Sequence, residues 1–239
     1  MENAEKLDRL FFELASESRL DILRELQTKN LKMQDLARKL DLTATEAFRQ
    51  LERLSAALLV QRQPDGTYAL TQYCRLELHL SASMELILKH RQFFMTHDVW
   101  RLPQQFVNRI GELSKATLKM GLIESTFKSS QMIGEAKKFM WGVSPEPLPQ
   151  SFDEIARQIP KGVEYRILGP QPPIRLPNLE NRTLLETPAI FVLTEKEAAL
   201  CFRFLDGRVD YAGFIGNDPT FLNWVKDLFL YYWEKGKRQ

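Results

Sequence analysis

The chain has 239 residues, 44% of them apolar, with 33 basic and 31 acidic side chains and three histidines. That length and composition accommodate one or two domains with a sizeable core and exclude a disordered or low-complexity chain. The net charge of +2 is too small to argue for nucleic acid by bulk electrostatics, and residues 1–71 hold 11 basic against 12 acidic groups.

No stretch approaches the run of about eighteen apolar residues that a membrane-crossing helix needs. The opening "MENAEKLDRLFF" carries acids where a secretory signal would have a basic end, so a cytoplasmic protein without membrane contact is expected. Cys74 and Cys201 are too few for a disulfide framework. His79, His90 and His97 all fall within one short helical stretch, so neither a metal site nor a cofactor is expected.

Two amphipathic segments come first, "EKLDRLFFELA" and "ESRLDILRELQ", the second with Leu20, Ile22, Leu23 and Leu26 at helical spacing. "KMQDLARKL" repeats the pattern with Met33, Leu36, Ala37 and Leu40 inward, and "DLT" makes a corner. Thr43 and Glu46 then form a Thr-x-x-Glu capping box that opens a helix running to about Ala57. Rotation by 100° per residue puts Ala47, Leu51 and Leu54 on its inner side and Thr45, Arg49, Glu52 and Arg53 on its outer side. The outer side is either an ordinary solvated face or one suited to a major groove.

"LVQRQ" and "TYALT" alternate around "PDG", the pattern of a β-hairpin. Helix, corner, helix and hairpin together predict a winged helix-turn-helix, with Arg62 and Gln63 placed on the wing to meet phosphate or minor groove. The candidate DNA-binding set is Thr43, Thr45, Glu46, Arg49, Gln50, Arg53, Arg62 and Gln63.

"LASESRLDILRELQ" with "MQDLARKLDLTATEAFRQLERLSAALLV" resembles the winged-helix domains of the arsenical-resistance repressor superfamily over roughly residues 5–71. The resemblance implies Thr45, Arg49, Gln50 and Arg53 as DNA contacts on the recognition helix. Two residues depart from the pattern. Leu58 stands where such domains usually have glycine, which puts a left-handed residue there in doubt. Phe48 stands where a small polar residue is common, and either touches a thymine methyl or packs on a neighbouring helix.

From Tyr73 to about His90, Leu76, Leu80, Met84, Ile87 and Leu88 mark a long helix whose apolar stripe is either a dimer seam or a surface packed on the following domain. Pro103 opens a short helix with Phe106, Val107 and Ile110 inward. "KHRQFFMTHD…LPQQFVNRIGELS" and the ending "DGRVDYAGFIGNDPTFLNWVKDLFLYYWEKGK" look like the archaeal family of methanogenesis regulatory proteins. In that family a winged helix precedes a sensor-like domain.

The remainder alternates between helix and strand patterns. "ATLKMGLI", "FMWGV" and "VEYRILG" read as strands separated by helices at 124–138 and 151–159, a run that predicts a largely parallel sheet. "QPPIRLPNLENR" reads as a Pro-rich loop over one end of the sheet. "PAIFVLT", "AALCFRF" and "RVDYAGFI" follow as strands, and Asp218-Pro219 opens a last helix whose aromatic stripe covers the sheet.

The family resemblance implies a phospholipase-D-like sheet topology, whose catalytic members use a His-x-Lys pair. No histidine follows His97, and no phosphate loop or nucleophile elbow is present. A sensor is therefore expected in place of an enzyme, with Trp141, Arg166, Arg175, Arg182, Arg203, Asp210 and Tyr211 as candidate effector-binding residues.

The expected organisation is a winged-helix domain at 1–72, a helical linker and possible dimerisation segment at 73–114, and an α/β effector-binding domain at 115–239. The expected function is a homodimeric regulator of transcription that binds double-stranded DNA and a small effector. A protein-interaction module that has lost DNA binding, and a phosphoester- or nucleotide-acting enzyme tethered by the winged helix, are the rival readings.

Overall fold

The computed structural model describes residues 7–119, 121, 128, 131–144, 162–169, 179–184 and 186–238, and the chain divides into two units, Met1–Ser81 and Ala82–Gln239. The first unit runs α1 (Leu7–Leu14), α2 (Glu17–Thr28), α3 (Met33–Lys39), α4 (Ala44–Ala56), β1 (Val60–Arg62), β2 (Tyr68–Leu70) and the start of α5 (Gln72–Lys89). Ile22, Leu23 and Leu26 of α2, Leu36 of α3 and Leu51 and Leu54 of α4 close around one core, joined by Leu59, Val60 and Leu70 from the hairpin. The helical spacing of these residues puts each on the inner face of its helix. This is the winged helix-turn-helix that the sequence predicts.

The corner between α3 and α4 carries Asp41 at φ +52°, a left-handed conformation that aspartate tolerates better than most residues. Between α4 and β1, Leu58 itself takes φ +57°. The left-handed turn is thus kept without the usual glycine. Thr71 Oγ1 donates to the Leu58 carbonyl at 2.6 Å and clamps the turn. At the hairpin tip Gly66 sits at φ +82°, and the Asp65 carboxylate accepts from Thr67 N and Oγ1 at 3.0 and 2.7 Å.

One buried cation ties three helices together. Arg19 is 5% exposed and occupies the i position of an i, i+3, i+4, i+7 stripe with Ile22, Leu23 and Leu26. Its guanidinium donates to the carbonyls of Phe12 (2.7 Å) and Glu13 (2.8 Å) at the end of α1 and to Gln50 Oε1 of α4 (3.2 Å). The Glu13 carboxylate bridges Arg19 at 3.1 Å and Arg53 of α4 at 2.8 Å. Burial pulls the Arg19 guanidinium below its usual pKa, and Glu13 opposes the shift.

In the second unit, α6 (Arg91–Phe94), α7 (Gln104–Val107) and a 3₁₀ turn (Ile110–Leu113) lead into β3 (Thr117–Lys119), β4 (Phe139–Val143), β5 (Glu164–Gly169), β6 (Leu179–Thr183), β7 (Ala189–Thr194), β8 (Ala198–Phe202), β9 (Gly213–Gly216), α8 (Pro219–Lys235) and β10 (Lys237–Arg238). The strands form one sheet in the order β10-β6-β5-β4-β7-β8-β9-β3.

Among the described residues β4–β5 and β5–β6 pair in parallel, and the other five pairings of this sheet are antiparallel. The expectation of a largely parallel sheet is corrected to a mixed one. Only three residues separate β7 from β8, too few for a parallel crossover. The expected Pro-rich loop is also corrected, because its end is strand β6, which pairs with β5. The strand expected at "RVDYAGFI" shrinks to Gly213–Gly216, since the Asp210 side chain turns back to bond Ala212 N at 3.1 Å. The helix expected over 151–159 and residue Arg175 lie outside the described residues.

Asp218 caps α8, its carboxylate accepting from Thr220 N at 3.0 Å, and Pro219 occupies the first turn. Phe221, Trp224, Val225, Leu228 and Phe229 are fully buried against Trp141, Val143, Leu168, Phe191, Leu200 and Phe214 on one face of the sheet. A helical segment at 131–135 contributes Ile133 to the opposite face, beside Met140, Val163 and Tyr165. Among the described residues no helix is long and apolar enough to cross a membrane.

Two stability measurements test these local readings. Leu58→Gly relieves a left-handed conformation at a residue that is 60% exposed, and a gain of about 0.5–1 kcal/mol in chemical denaturation is expected, against a loss for the β-branched Leu58→Val. Arg19→Ala strands two carbonyls and the Glu13 carboxylate in a buried site, and a loss of about 2–4 kcal/mol is expected.

Candidate nucleic-acid interface

Helix α4 begins with a complete capping box. Glu46 N donates to Thr43 Oγ1 at 3.2 Å, and Thr43 N and Oγ1 donate to Glu46 Oε2 at 3.0 and 2.7 Å. These hydrogen bonds from the Thr43 side chain and backbone hold the Glu46 carboxyl below its usual range. The cap fixes where the helix starts, and so which side chains its first turns present. Thr43 and Glu46 spend their side chains on each other.

The rest of the α4 candidates divide into two groups. Gln50 and Arg53 are engaged within the protein: Gln50 accepts from Arg19, and Arg53 pairs with Glu13 and lies 5.2 Å above the Phe12 ring. Thr45 and Arg49 remain exposed, and Arg49 forms no ion pair or hydrogen bond among the described residues. Phe48 lies on the flank of the helix next to Thr45 and is 50% exposed, outside the core formed by Ala47, Leu51 and Leu54.

On the wing, Arg62 is exposed and Gln63 half-buried. The main chain of Gln63 closes the hairpin, its N–H donating to Thr67 O at 2.7 Å and its carbonyl accepting from Gly66 N at 2.9 Å. Of the DNA-binding candidates, Arg49 on the helix and Arg62 on the wing are therefore the exposed arginines not drawn into the Glu13 pairing, and the exposed Phe48 ring belongs to the same helix as Arg49.

In the second unit the effector candidates form two clusters. Arg166 lies 5.1 Å over Trp141 and 5.5 Å over Trp233, and its Nε is 2.9 Å from Glu164. Trp141 Nε1 donates to the same carboxylate at 3.1 Å. Arg182 lies 4.5 Å over Trp233 and donates to the Trp233 carbonyl at 2.7 Å, near the end of α8. Arginine on the last helical carbonyls is a cap, favoured by the helix dipole.

Arg203 and Asp210 belong to the second cluster. Arg203 donates to the carbonyls of Thr187 (2.8 Å) and Gly207 (2.9 Å). Asp210 Oδ2 meets Nε2 of buried His97 at 2.9 Å, and His97 Nδ1 faces the Phe93 carbonyl at 2.8 Å. Tyr211 is 38% exposed, and its carbonyl receives the Cys201 thiol at 3.3 Å. Burial pushes that thiol up to about 12.

A cavity of about 190 Å³ is lined by Met132, Glu135, Thr194, Lys196, Glu197 and Asn217. None of the described effector candidates lines it. Among the described residues no group of three His, Cys, Asp or Glu side chains is placed to hold a metal ion.

Sequence reasoning missed Arg19, Glu13 and Phe12, which set the position of α4. The available signal was an arginine standing at a core position of the α2 stripe.

No protein-family model matches the chain, and no curated protein sequence matches it significantly. Solved structures with a similar outline include TrmBL2, described as an archaeal chromatin protein with a novel mode of DNA binding, at 17% identity and a TM-score of 0.42 over 98% of this chain and 100% of that one. NucT from Helicobacter pylori matches at 12% identity and a TM-score of 0.42 over 52% of this chain and 99% of its own. A proposed IclR-family transcriptional regulator from Rhodococcus sp. matches at 13% identity and a TM-score of 0.24 over 99% and 97%. At these values neither function nor detailed topology carries over to this chain.

Proposed function

We propose that the chain is a DNA-binding regulator of transcription that acts as a homodimer in the cytoplasm and catalyses no reaction. The observation that supports this is the exposed α4 face, where Thr45, Phe48 and Arg49 stand clear of the core beside a wing carrying Arg62. A rigidly capped helix offering a cation and small or apolar side chains suits base-edge contacts, and an arginine on a hairpin suits phosphate.

Dimerisation is supported by α5. Tyr73, Leu76, Leu80, Met84, Ile87 and Leu88 are 37–69% exposed, while Cys74, Leu78 and Leu86 of the same helix are buried. At 100° per residue the exposed set falls within an arc of about 120° opposite the buried set. An apolar stripe facing water over several turns is a seam awaiting a partner, and a two-fold DNA site requires a two-fold protein.

On this reading the second unit is the phospholipase-D-like scaffold of the family resemblance, used for sensing. Its effector would bias one dimer geometry over another by differential affinity. Of the candidate effector residues, Trp141, Arg166 and Arg182 form a connected group, Arg166 lying over both Trp141 and Trp233 and Arg182 over Trp233.

DNA affinity measured by fluorescence anisotropy, on duplexes enriched from a random-sequence pool and at two salt concentrations, tests the reading. Arg49→Ala should cost about 1–3 kcal/mol on the enriched duplex. Arg62→Ala should weaken all duplexes alike and reduce the salt slope by about one. Salt-indifferent binding, or no enrichment, would favour the interaction module instead. For the dimer, Leu76→Glu/Leu80→Glu should convert the sedimentation of the free protein from dimer to monomer without unfolding it, because both side chains face solvent in the protomer. An unchanged dimer would move the seam elsewhere.

A further inference from the structure

We propose that Phe48 is a sequence-reading residue, its ring seated against the C5-methyl of a thymine in the major groove. This deepens the DNA-binding reading and rests on it. The Phe48 ring is left 50% exposed while Ala47, Leu51 and Leu54 complete the core side of α4 without it. Phe48 stacks on no described aromatic ring and lies under no described cation, whereas Phe12, 61% exposed, has Arg53 and Arg19 over its ring.

Its place on the helix is specific. Phe48 follows Thr45 by three residues and precedes Arg49, so all three side chains project from the first two turns that the capping box sets. In a helix-turn-helix those turns approach base edges. The major groove there presents donors, acceptors and one apolar group, the thymine methyl. A ring that gains nothing from hydrogen bonds is matched to that methyl and leaves the polar edges to Thr45 and Arg49.

The test removes single methyl groups from the DNA. In duplexes enriched from a random-sequence pool by the wild-type protein, each thymine is replaced in turn by deoxyuridine and affinity is read by anisotropy. At one position per half-site the replacement should weaken wild-type binding about fourfold, the worth of one buried methyl. Phe48→Ala should bind thymine and deoxyuridine duplexes equally at that position, while Arg62→Ala, though weaker throughout, should keep the wild-type ratio. Indifference of the wild type to every replacement, or a ratio that survives in Phe48→Ala, would overturn the assignment while leaving DNA binding intact. A change in the sedimentation of free Phe48→Ala would assign the ring to a protein contact and overturn it as well. Failure of the wild type to enrich any duplex would remove the DNA-binding reading itself, and Phe48 with it.

Discussion

Everything the first unit offers to a partner depends on where α4 sits, and α4 is held by the buried guanidinium of Arg19. Its donors satisfy the last carbonyls of α1 and the side chain of Gln50, while Glu13 links it to Arg53. A charge in such a place is costly unless every donor finds an acceptor. That condition ties α1, α2 and α4 into one body. A shift of α1 cannot occur without disturbing the groups that line one side of α4.

A similar economy runs through the second unit. The aromatic stripe of α8 supplies the apolar contact with the sheet, and the ends of the helix are closed by Asp218 at the start and Arg182 at the finish. The arginines and tryptophans that stand out in the sequence are thereby drawn into packing, cation–π and capping contacts. Arg166 between two indoles is a layer of the fold, worth about 0.5–2 kcal/mol per ring contact in partly desolvated positions. Arg203 and Asp210 likewise stabilise the connection between β8 and β9. Chemistry-bearing residues in this sheet are accounted for by local structure before any ligand is considered.

What could be read from the sequence follows the range of the interactions involved. The capping box of Thr43 and Glu46, the Asp65-Gly66 turn and the Asp218-Pro219 helix start are local, and each appears where the sequence places it. The engagement of Arg53 by Glu13, forty residues away, has no local signal, so a residue on the outward face looks free when it is not. Leu58 shows the converse: glycine marks left-handed turns because it adopts them without strain, yet a leucine held by Thr71 adopts the same turn. Alternation of helix and strand patterns suggests a largely parallel sheet, but the three-residue link between β7 and β8 dictates an antiparallel hairpin there.

The charge inventory then bears on how recognition would work. The first seventy-one residues carry one more acid than base, and Arg19 and Arg53 are committed to Glu13. If the unit binds DNA as proposed, this near-neutral balance means that counterion release supplies less of the binding energy than in strongly basic DNA-binding domains. On the proposed function such a protein would gain little from nonspecific attraction and would draw its affinity from base edges and from a second protomer. The exposed ring of Phe48 at the start of α4 and the bare stripe on α5 are two apolar surfaces that such a balance would use, on the proposed function one toward bases and the other toward a second copy of the chain.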